Sequence, residues 1–323
     1  MAYITLKSLA YGAALVAVSA LGITATAPAM AQEMQTIRVE RSPVGQFEGL
    51  FIAQDLGLFE ERGIVLDIKV GASPDGALAQ LMSGQQDVAM TGAVPLTAAV
   101  ANGLPVVAVL NAQDQEPDTA TYGLIVPADS PIQTIADLKG KKIGLPGIAS
   151  PQGSVLIRTL EANGLTRDDV ELVNLPFPGV LQAIDAGSVD AGIPIGLFYD
   201  LAIQQGNREL KEVFDSSTFG FPSVIFASNK EWADQNAELL GKFIEAMTLG
   251  YEYANANDDA VRDVDIKMTQ LPPEYLKVRA ISPFQAAFNA DAWNLENEFL
   301  AKYGFISRVP TAEEYIWSGA PRQ

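Results

Sequence analysis

The sequence predicts an α/β protein of two similar lobes, each a mostly parallel sheet flanked by helices, with two strands crossing between the lobes. Three observations predict this fold. Short apolar strands alternate with amphipathic helices over residues 36–111, the same alternation restarts near residue 142, and the chain after residue 230 is helical with too few strands for a sheet. Strands that alternate with helices in this way are typical of βαβ units and of sheets covered on both faces.

The N-terminal segment is predicted to be a cleaved export signal. Lys7 supplies a positive charge, residues 9–23 are apolar, and Ala29-Met30-Ala31 has the small-x-small pattern of a cleavage site. The apolar run is shorter than the roughly 20 residues that span a bilayer. We therefore expect residues 1–31 to be removed and the mature protein, beginning at Gln32, to be periplasmic.

Composition excludes several function classes. The 323-residue chain contains no histidine and no cysteine, so it has no Ser-His-Asp or Cys-His machinery and no imidazole or thiolate zinc ligands. We predict no catalytic residues, no metal and no cofactor. The formal net charge of −18 makes nucleic acid and anionic lipid poor partners.

The elements of the first lobe follow in order along the chain. Strands are predicted at residues 37–39, 65–68, 88–90 and 106–110, and the helices between them lie within 44–57, over 75–82 and from 95. Glycines at positions 57 and 84 end the first two helices, as glycine commonly does at a helix C-terminus.

The second lobe repeats the pattern of the first after a polar break at residues 114–118. Strands are predicted at residues 142–145, 170–173 and 191–193, and helices at 154–162 and 180–185. Two stretches recur in the same order: 59–64 matches 160–165, and the Leu-x-x-Leu-x-x-Gly-x-x-Asp pattern of 78–87 matches 181–190. This internal repeat favours two lobes of similar construction.

The C-terminal tail returns to the first lobe in this prediction. Residues 239–254, 260–268 and 287–303 are helical by their apolar period. Residues 122–126 and 223–227 are the predicted crossing strands. The first lobe is therefore expected to contain residues 32–123 and 227–323, and the second lobe residues 124–226.

Four loops lie where ligands bind in open α/β sheets, at the carboxyl ends of strands. They are residues 41–47, 91–93, 149–154 and 194–196. The third is rich in small and hydroxyl residues before a helix, so its N–H groups could bind an anion. Ordinary caps and turns use the same residue types. Arg41 could pair with a ligand anion or form a surface ion pair, and several aromatic residues could line a pocket or pack in the core: Phe47, Phe198, Tyr199, Phe219 and Phe221.

At these residues the chain resembles the sulfonate/taurine/nitrate-type periplasmic binding proteins, a family that includes binders of thiamine-pyrimidine precursors. The matching stretches are residues 57–64, 81–88, 137–143, 175–178 and 187–191. The resemblance implies the type II periplasmic-binding-protein fold, which closes on its ligand by a hinge. By position it implies these ligand-binding residues: Ser42, Pro43, Gln46, Thr91, Gly92, Ser150, Gln152, Pro194 and Ile195, with Arg41 as the nearby cation.

The function that follows is a solute-binding receptor that delivers a small organic molecule to an ABC permease and its ATPase. Taurine binders have an aromatic-rich segment where this chain has residues 193–196, which favours a bulkier or more apolar anion, such as a sulfonate or carboxylate. The protein is expected to be a monomer. It is expected not to be an enzyme, because the pyrimidine-synthesising relatives on this fold rely on histidine and cysteine, which this chain lacks. A sensory receptor that presents its closed form to a membrane kinase is the other alternative.

Overall fold

The computed structural model describes residues 34–43, 45–114, 122–210, 220–277, 279 and 281–323. Residues 34–323 form one compact unit. The predicted export signal and its cleavage site lie outside the described residues. None of the described helices combines the length and the apolar character that a membrane crossing requires.

Ten strands are described. In chain order they are β1 (Gln35–Arg41), β2 (Ile64–Val70), β3 (Val88–Gly92), β4 (Val106–Asp114), β5 (Leu124–Val126), β6 (Lys142–Leu145), β7 (Glu171–Asn174), β8 (Ala191–Gly192), β9 (Arg208–Leu210) and β10 (Pro222–Asn229).

Twelve α-helices are described. In chain order they are α1 (Glu48–Asp55), α2 (Pro74–Met82), α3 (Ala93–Ala101), α4 (Pro151–Ala162), α5 (Phe177–Asp185), α6 (Leu197–Gln204), α7 (Lys230–Gln235), α8 (Ala237–Ala256), α9 (Asp258–Met268), α10 (Pro273–Leu276), α11 (Ala290–Lys302) and α12 (Ala312–Tyr315).

The strands form two sheets of five with matching topology. The first has the order β2-β1-β3-β10-β4 and the second the order β7-β6-β8-β5-β9. In the first sheet only β10 runs against its neighbours, and in the second only β5 does. The prediction of two similar, mostly parallel α/β lobes is confirmed.

The internal repeat marks the same structural device in each lobe. Asp87 accepts a hydrogen bond from the Arg38 N–H at 2.8 Å, and Asp190 accepts one from the Lys142 N–H at 2.9 Å. Each aspartate directly precedes a strand and follows, three residues on, a glycine in the left-handed region: Gly84 with φ 69° and Gly187 with φ 64°. The repeated carboxylate thus links the start of β3 to β1 in the first lobe and the start of β8 to β6 in the second.

The prediction that residues 122–126 and 223–227 are strands crossing between the lobes is wrong. Residues 124–126 are β5 in the second sheet, and residues 222–229 are β10, which pairs with β3 and β4 inside the first sheet. Neither predicted run therefore crosses between the lobes. The first lobe resumes at Pro222, the start of β10, and not at residue 227 as expected. Strand β10 is buried over nearly its whole length, and a strand of this kind needs partner strands on both sides.

The tail packs against the first lobe, as predicted. Helices α8, α9 and α11 share one apolar core with β1, β3, β4 and β10. Trp293 of α11 is fully buried, and its indole N–H donates to Thr97 Oγ1 of α3 at 3.0 Å. The tail is therefore part of the first lobe and forms no sheet of its own.

Two sets of contacts connect the tail helices with the second lobe. Arg158 of α4 forms a buried ion pair with Glu296 of α11 at 3.3 Å. Nearby, the Tyr303 hydroxyl donates to Glu161 at 3.0 Å. Elsewhere, Gln204 of α6 donates to the Tyr275 carbonyl of α10 at 3.1 Å.

Candidate functional site

A cavity lies between the two sheets. The first lobe lines it with the loops after β1, β2 and β3 and with the start of β10. The second lobe lines it with the loops after β6 and β8 and with the first residue of α5. The cavity thus occupies the carboxyl ends of equivalent strands in both lobes, where ligands bind in open α/β sheets.

The structure brings nine of the ten predicted ligand-binding residues to this cavity. They are Arg41, Ser42, Pro43, Gln46, Thr91, Gly92, Ser150, Gln152 and Ile195. Pro194 is buried but does not line the cavity. That these residues contact a ligand stays a prediction.

Three polar side chains of the cavity wall are buried without a hydrogen-bond partner among the described residues. Glu40 is 2% exposed, Gln152 6% and Gln46 7%, and none of their side-chain oxygens or nitrogens bonds to another described residue. None of these polar atoms is among the fully buried ones that lack a partner, so they reach the cavity itself. These three groups are therefore available to a bound molecule.

Gln46 has an unusual backbone. Its φ of 61° makes it the one non-glycine residue with positive φ in the described part of the chain, and Gly45 before it has φ 110°. The two residues turn the chain sharply between β1 and α1. Side chains disfavour this region of backbone space, and such strain is common at ligand sites.

Ser150 is the N-cap of α4. Its hydroxyl accepts a hydrogen bond from the Gly153 N–H at 3.1 Å, and Pro151 occupies the first helical position. A Cβ on Gly153 would overlap the carbonyl of Ile148, so glycine is required where the loop packs on the helix. Pro151 has no N–H and Ser150 binds that of Gly153, so among the first three residues of α4 the N–H of Gln152 is the one left for a ligand.

Arg41 is neither a surface ion pair nor an open anion site. Its guanidinium lies 4.1 Å from the ring centroid of Phe47 and donates to the Met268 carbonyl at 2.8 Å and to the Ser42 carbonyl at 3.1 Å. The residue is 6% exposed, and burial lowers the pKa of its guanidinium. Arg41 therefore supports the cavity wall through packing and backbone hydrogen bonds.

A buried charge cluster lies near Arg41. Arg279 pairs with Asp265 at 2.7 Å and with Glu48 at 2.8 Å, and all three side chains are buried. Burial raises the pKa of Glu48 well above its ordinary value; Asp265 raises it further and Arg279 opposes the shift. Asp200, on α6 of the second lobe, lies within the electrostatic reach of Arg279 and Asp265, and burial raises its pKa to about 6.

Three of the five aromatic candidates pack in the cores of the lobes. Phe47 and Phe221 belong to the first core, and Tyr199 packs in the second lobe and donates to Glu209 at 3.1 Å. Phe198 is absent from the cavity lining, and Phe219 lies outside the described residues. The aromatic residue of the cavity is Phe177, the first residue of α5.

Glu40, Ser73 and Ser223 also line the cavity and are not among the predicted ligand-binding residues. Glu40 could have been found, because a charged residue near the carboxyl end of a buried strand lies where ligands bind. Ser223 could not, since residues 223–227 were assigned to a crossing.

Comparison with known proteins places these features in context. The family model described as "NMT1/THI5 like" matches residues 45–261. A formylaminopyrimidine-binding protein of Halalkalibacterium halodurans is 26% identical over 67% of this chain and 64% of its own. The 4-amino-5-hydroxymethyl-2-methylpyrimidine phosphate synthase THI12 of Saccharomyces cerevisiae is 25% identical over 87% of this chain and 84% of its own.

Among solved structures, the alkanesulfonate-binding protein SsuA of Xanthomonas axonopodis pv. citri superimposes with a TM-score of 0.76. The two chains are 19% identical, and the alignment covers 88% of this chain and 99% of that one. At this identity the likeness shows the fold alone, which is the type II periplasmic-binding-protein fold.

Proposed function

Because this chain belongs to the NMT1/THI5-like family, we propose that it is the solute-binding receptor of an ABC-type importer. The receptor captures a small organic molecule between its lobes and delivers it to a membrane permease. The observation that carries the proposal is the cavity, where Glu40 and Gln46 of the first lobe and Gln152 of the second are buried without partners among the described residues. A ligand that bonds to both walls favours the closed form over the open one.

Ligand binding is tested by thermal unfolding of the purified protein with alkanesulfonates, aromatic carboxylates, nitrate, aminopyrimidines and polyamines. A ligand at 100 times its dissociation constant adds about 2.7 kcal/mol to the free energy of unfolding. Gln152→Ala should weaken binding of the hit about tenfold, since a buried hydrogen bond is lost. Gln182→Ala, on the exposed face of α5, is the control. Parental affinity in Gln152→Ala would exclude this cavity as the site.

Delivery to a permease needs its own test. The ligand-loaded protein should stimulate ATP hydrolysis by the permease and ATPase of the proposed importer, once they are reconstituted in liposomes. A receptor that binds its ligand but leaves the ATPase rate unchanged would contradict the importer role and favour a sensory one.

We also propose export to the periplasm with cleavage after Ala31. Lys7, the apolar run and the Ala-Met-Ala sequence support it. Mass spectrometry of the exported protein should give an N-terminus at Gln32. An intact residue 1 would contradict the proposal.

The synthase relatives make an enzymatic role the second candidate, since THI12 aligns with most of this chain. The complete absence of histidine and cysteine argues against it, because side chains that commonly serve as base and nucleophile are missing. Recovery of a bound ligand unchanged after prolonged incubation with the protein is the expected result. Stoichiometric or catalytic consumption would favour the synthase role.

A further inference from the structure

Glu40 is a buried carboxylate in the cavity wall. It is the residue before the last in β1, and it is 2% exposed. A Cβ on Gly71 would overlap the Glu40 carboxylate, so the glycine after β2 leaves the space that this side chain occupies. The position of Glu40 is therefore fixed by the packing of β1 against the end of β2.

No described cation neutralises Glu40. Arg41 donates to backbone carbonyls beside Phe47, and Arg38 pairs with Asp87. Lys69 lies opposite Glu40 in the strand register but is exposed and forms no ion pair with it. Burial alone raises the pKa of Glu40, in agreement with the lack of a charged neighbour close to it.

From this geometry we propose that Glu40 binds a hydrogen-bond donor or a positive charge on the ligand. The chemical class is an amine or an amidine. The proposal rests on the proposed receptor function and specifies its ligand. The carboxylate faces the cavity, where partial burial already disfavours its charged form. A donor from the ligand would offset that cost.

The two walls of the cavity then differ in what they recognise. The first lobe offers the Glu40 carboxylate, an acceptor. The second offers the Gln152 amide beside the N-terminus of α4, where negative or acceptor groups are favoured. An anionic group on the ligand, as expected from the sequence, therefore belongs at the α4 wall, with the donor toward β1.

The test uses pairs of compounds that differ in an amino group against a methyl group. The pairs are taurine and propane-1-sulfonate, and 4-(aminomethyl)benzoate and 4-ethylbenzoate. Calorimetry compares the parent protein with Glu40→Gln and with Glu252→Gln, an exposed control on α8. In each pair that binds, the amino compound should bind about 10- to 100-fold more tightly, as for hydrogen bonds to charged groups. Glu40→Gln should remove most of that preference, and Glu252→Gln should keep it.

A second measurement needs no ligand. Neutralising an unpartnered buried carboxylate should raise the melting temperature of the ligand-free protein at pH 8 in Glu40→Gln but not in Glu252→Gln. Equal binding of the paired compounds, or an unchanged preference in Glu40→Gln, would overturn the proposal, as would a lower melting temperature. If no compound binds, the receptor function is in question, and the melting temperature of Glu40→Gln still decides the role of Glu40.

Discussion

Gln46 shows how one residue can combine backbone strain with an accessible polar group. Its φ is positive, and glycine is the residue that ordinarily adopts this backbone conformation. The amide lines the cavity without a hydrogen-bond partner among the described residues. A residue that costs stability in two ways is best explained by a gain on ligand binding.

Gln46→Gly should therefore separate stability from binding. Relief of the strained backbone offsets the greater freedom of the unfolded glycine, so the free energy of unfolding should stay constant or rise by about 1 kcal/mol. Affinity should fall about tenfold, because the amide is lost. Gln46→Ala is the matched variant: it loses the amide, keeps the strain and gains no stability. Urea unfolding and calorimetry measure both quantities. A destabilised Gln46→Gly with parental affinity would contradict this account.

Asp200 should make stability depend on pH. Its folded pKa of about 6 lies above the unfolded value of about 3.9. Between these values the folded protein binds a proton that the unfolded chain does not, so stability rises as pH falls from about 7 to about 4. The stabilisation is present below the unfolded pKa and is lost as pH rises through the folded one.

Asp200→Asn isolates this contribution from those of Glu40 and Glu48, whose pKa values are also raised. The free energy of unfolding of the variant minus that of the parent should be about 1.4 kcal/mol larger at pH 8 than at pH 5, because only the parent gains stability as Asp200 takes up its proton. Urea unfolding at the two pH values measures this, with the exposed Asp185→Asn as the control. A stability difference from the parent that is the same at both pH values would show that Asp200 does not titrate in this range.

At the scale of elements, helix α4 joins the cavity to the contact between the lobes. Its N-terminus holds Ser150 and Gln152 at the cavity, and Arg158, two turns further on, pairs with Glu296 of α11. Since a helix transmits a displacement of one end to the other, movement of the cavity wall and of this ion pair should be linked.

Ser150→Ala should lower the free energy of unfolding by about 1 kcal/mol, because the Gly153 N–H loses its acceptor. Binding should weaken as well, since the cap orients the start of α4 at the cavity. Ser150→Asn retains a capping side chain and should restore most of the stability. Thermal unfolding compares the two variants. Equal losses in both would mean that the cap is not the source of the effect.

The sequence allowed prediction of the elements that alternate regularly and are buried on one face. Strand β2 and helix α8, for example, were located to within a few residues of their observed bounds. Helix α6 was missed, because it begins after Gly196 at φ 54° without a side-chain cap. Most cavity residues could be predicted since loops after parallel strands meet at one edge. The hydrogen bond from Arg41 to the Met268 carbonyl could not be predicted, because 227 residues separate the two in the sequence.

On the scale of the whole molecule, the buried pair of Arg158 and Glu296 links the second lobe to the first lobe's tail. In an open form water would replace this contact. Removing one partner of a buried pair leaves the other charge uncompensated, so closure should be sensitive to it.

Glu296→Gln should shift the protein toward the open form. We expect a larger radius of gyration in small-angle scattering and a ligand affinity lower by about tenfold, since binding must then also favour closure. Glu298→Gln, on the exposed face of the same helix, should leave both unchanged. An unchanged radius of gyration in Glu296→Gln would exclude this ion pair as a determinant of closure.

The position of β10 has a consequence for the order of folding. This strand fills the space between β3 and β4, so the first sheet stays incomplete until a segment more than a hundred residues beyond its first four strands is available. The second sheet needs only strands within residues 124–210. Contacts of short sequence separation form faster, and we expect the middle of the chain to fold first. Pulsed hydrogen exchange should show the amides of β6 and β7 becoming protected before those of β3. Until β10 inserts, the nascent chain exposes the unpaired edges of β3 and β4. A chaperone would have to protect these edges from aggregation at this stage.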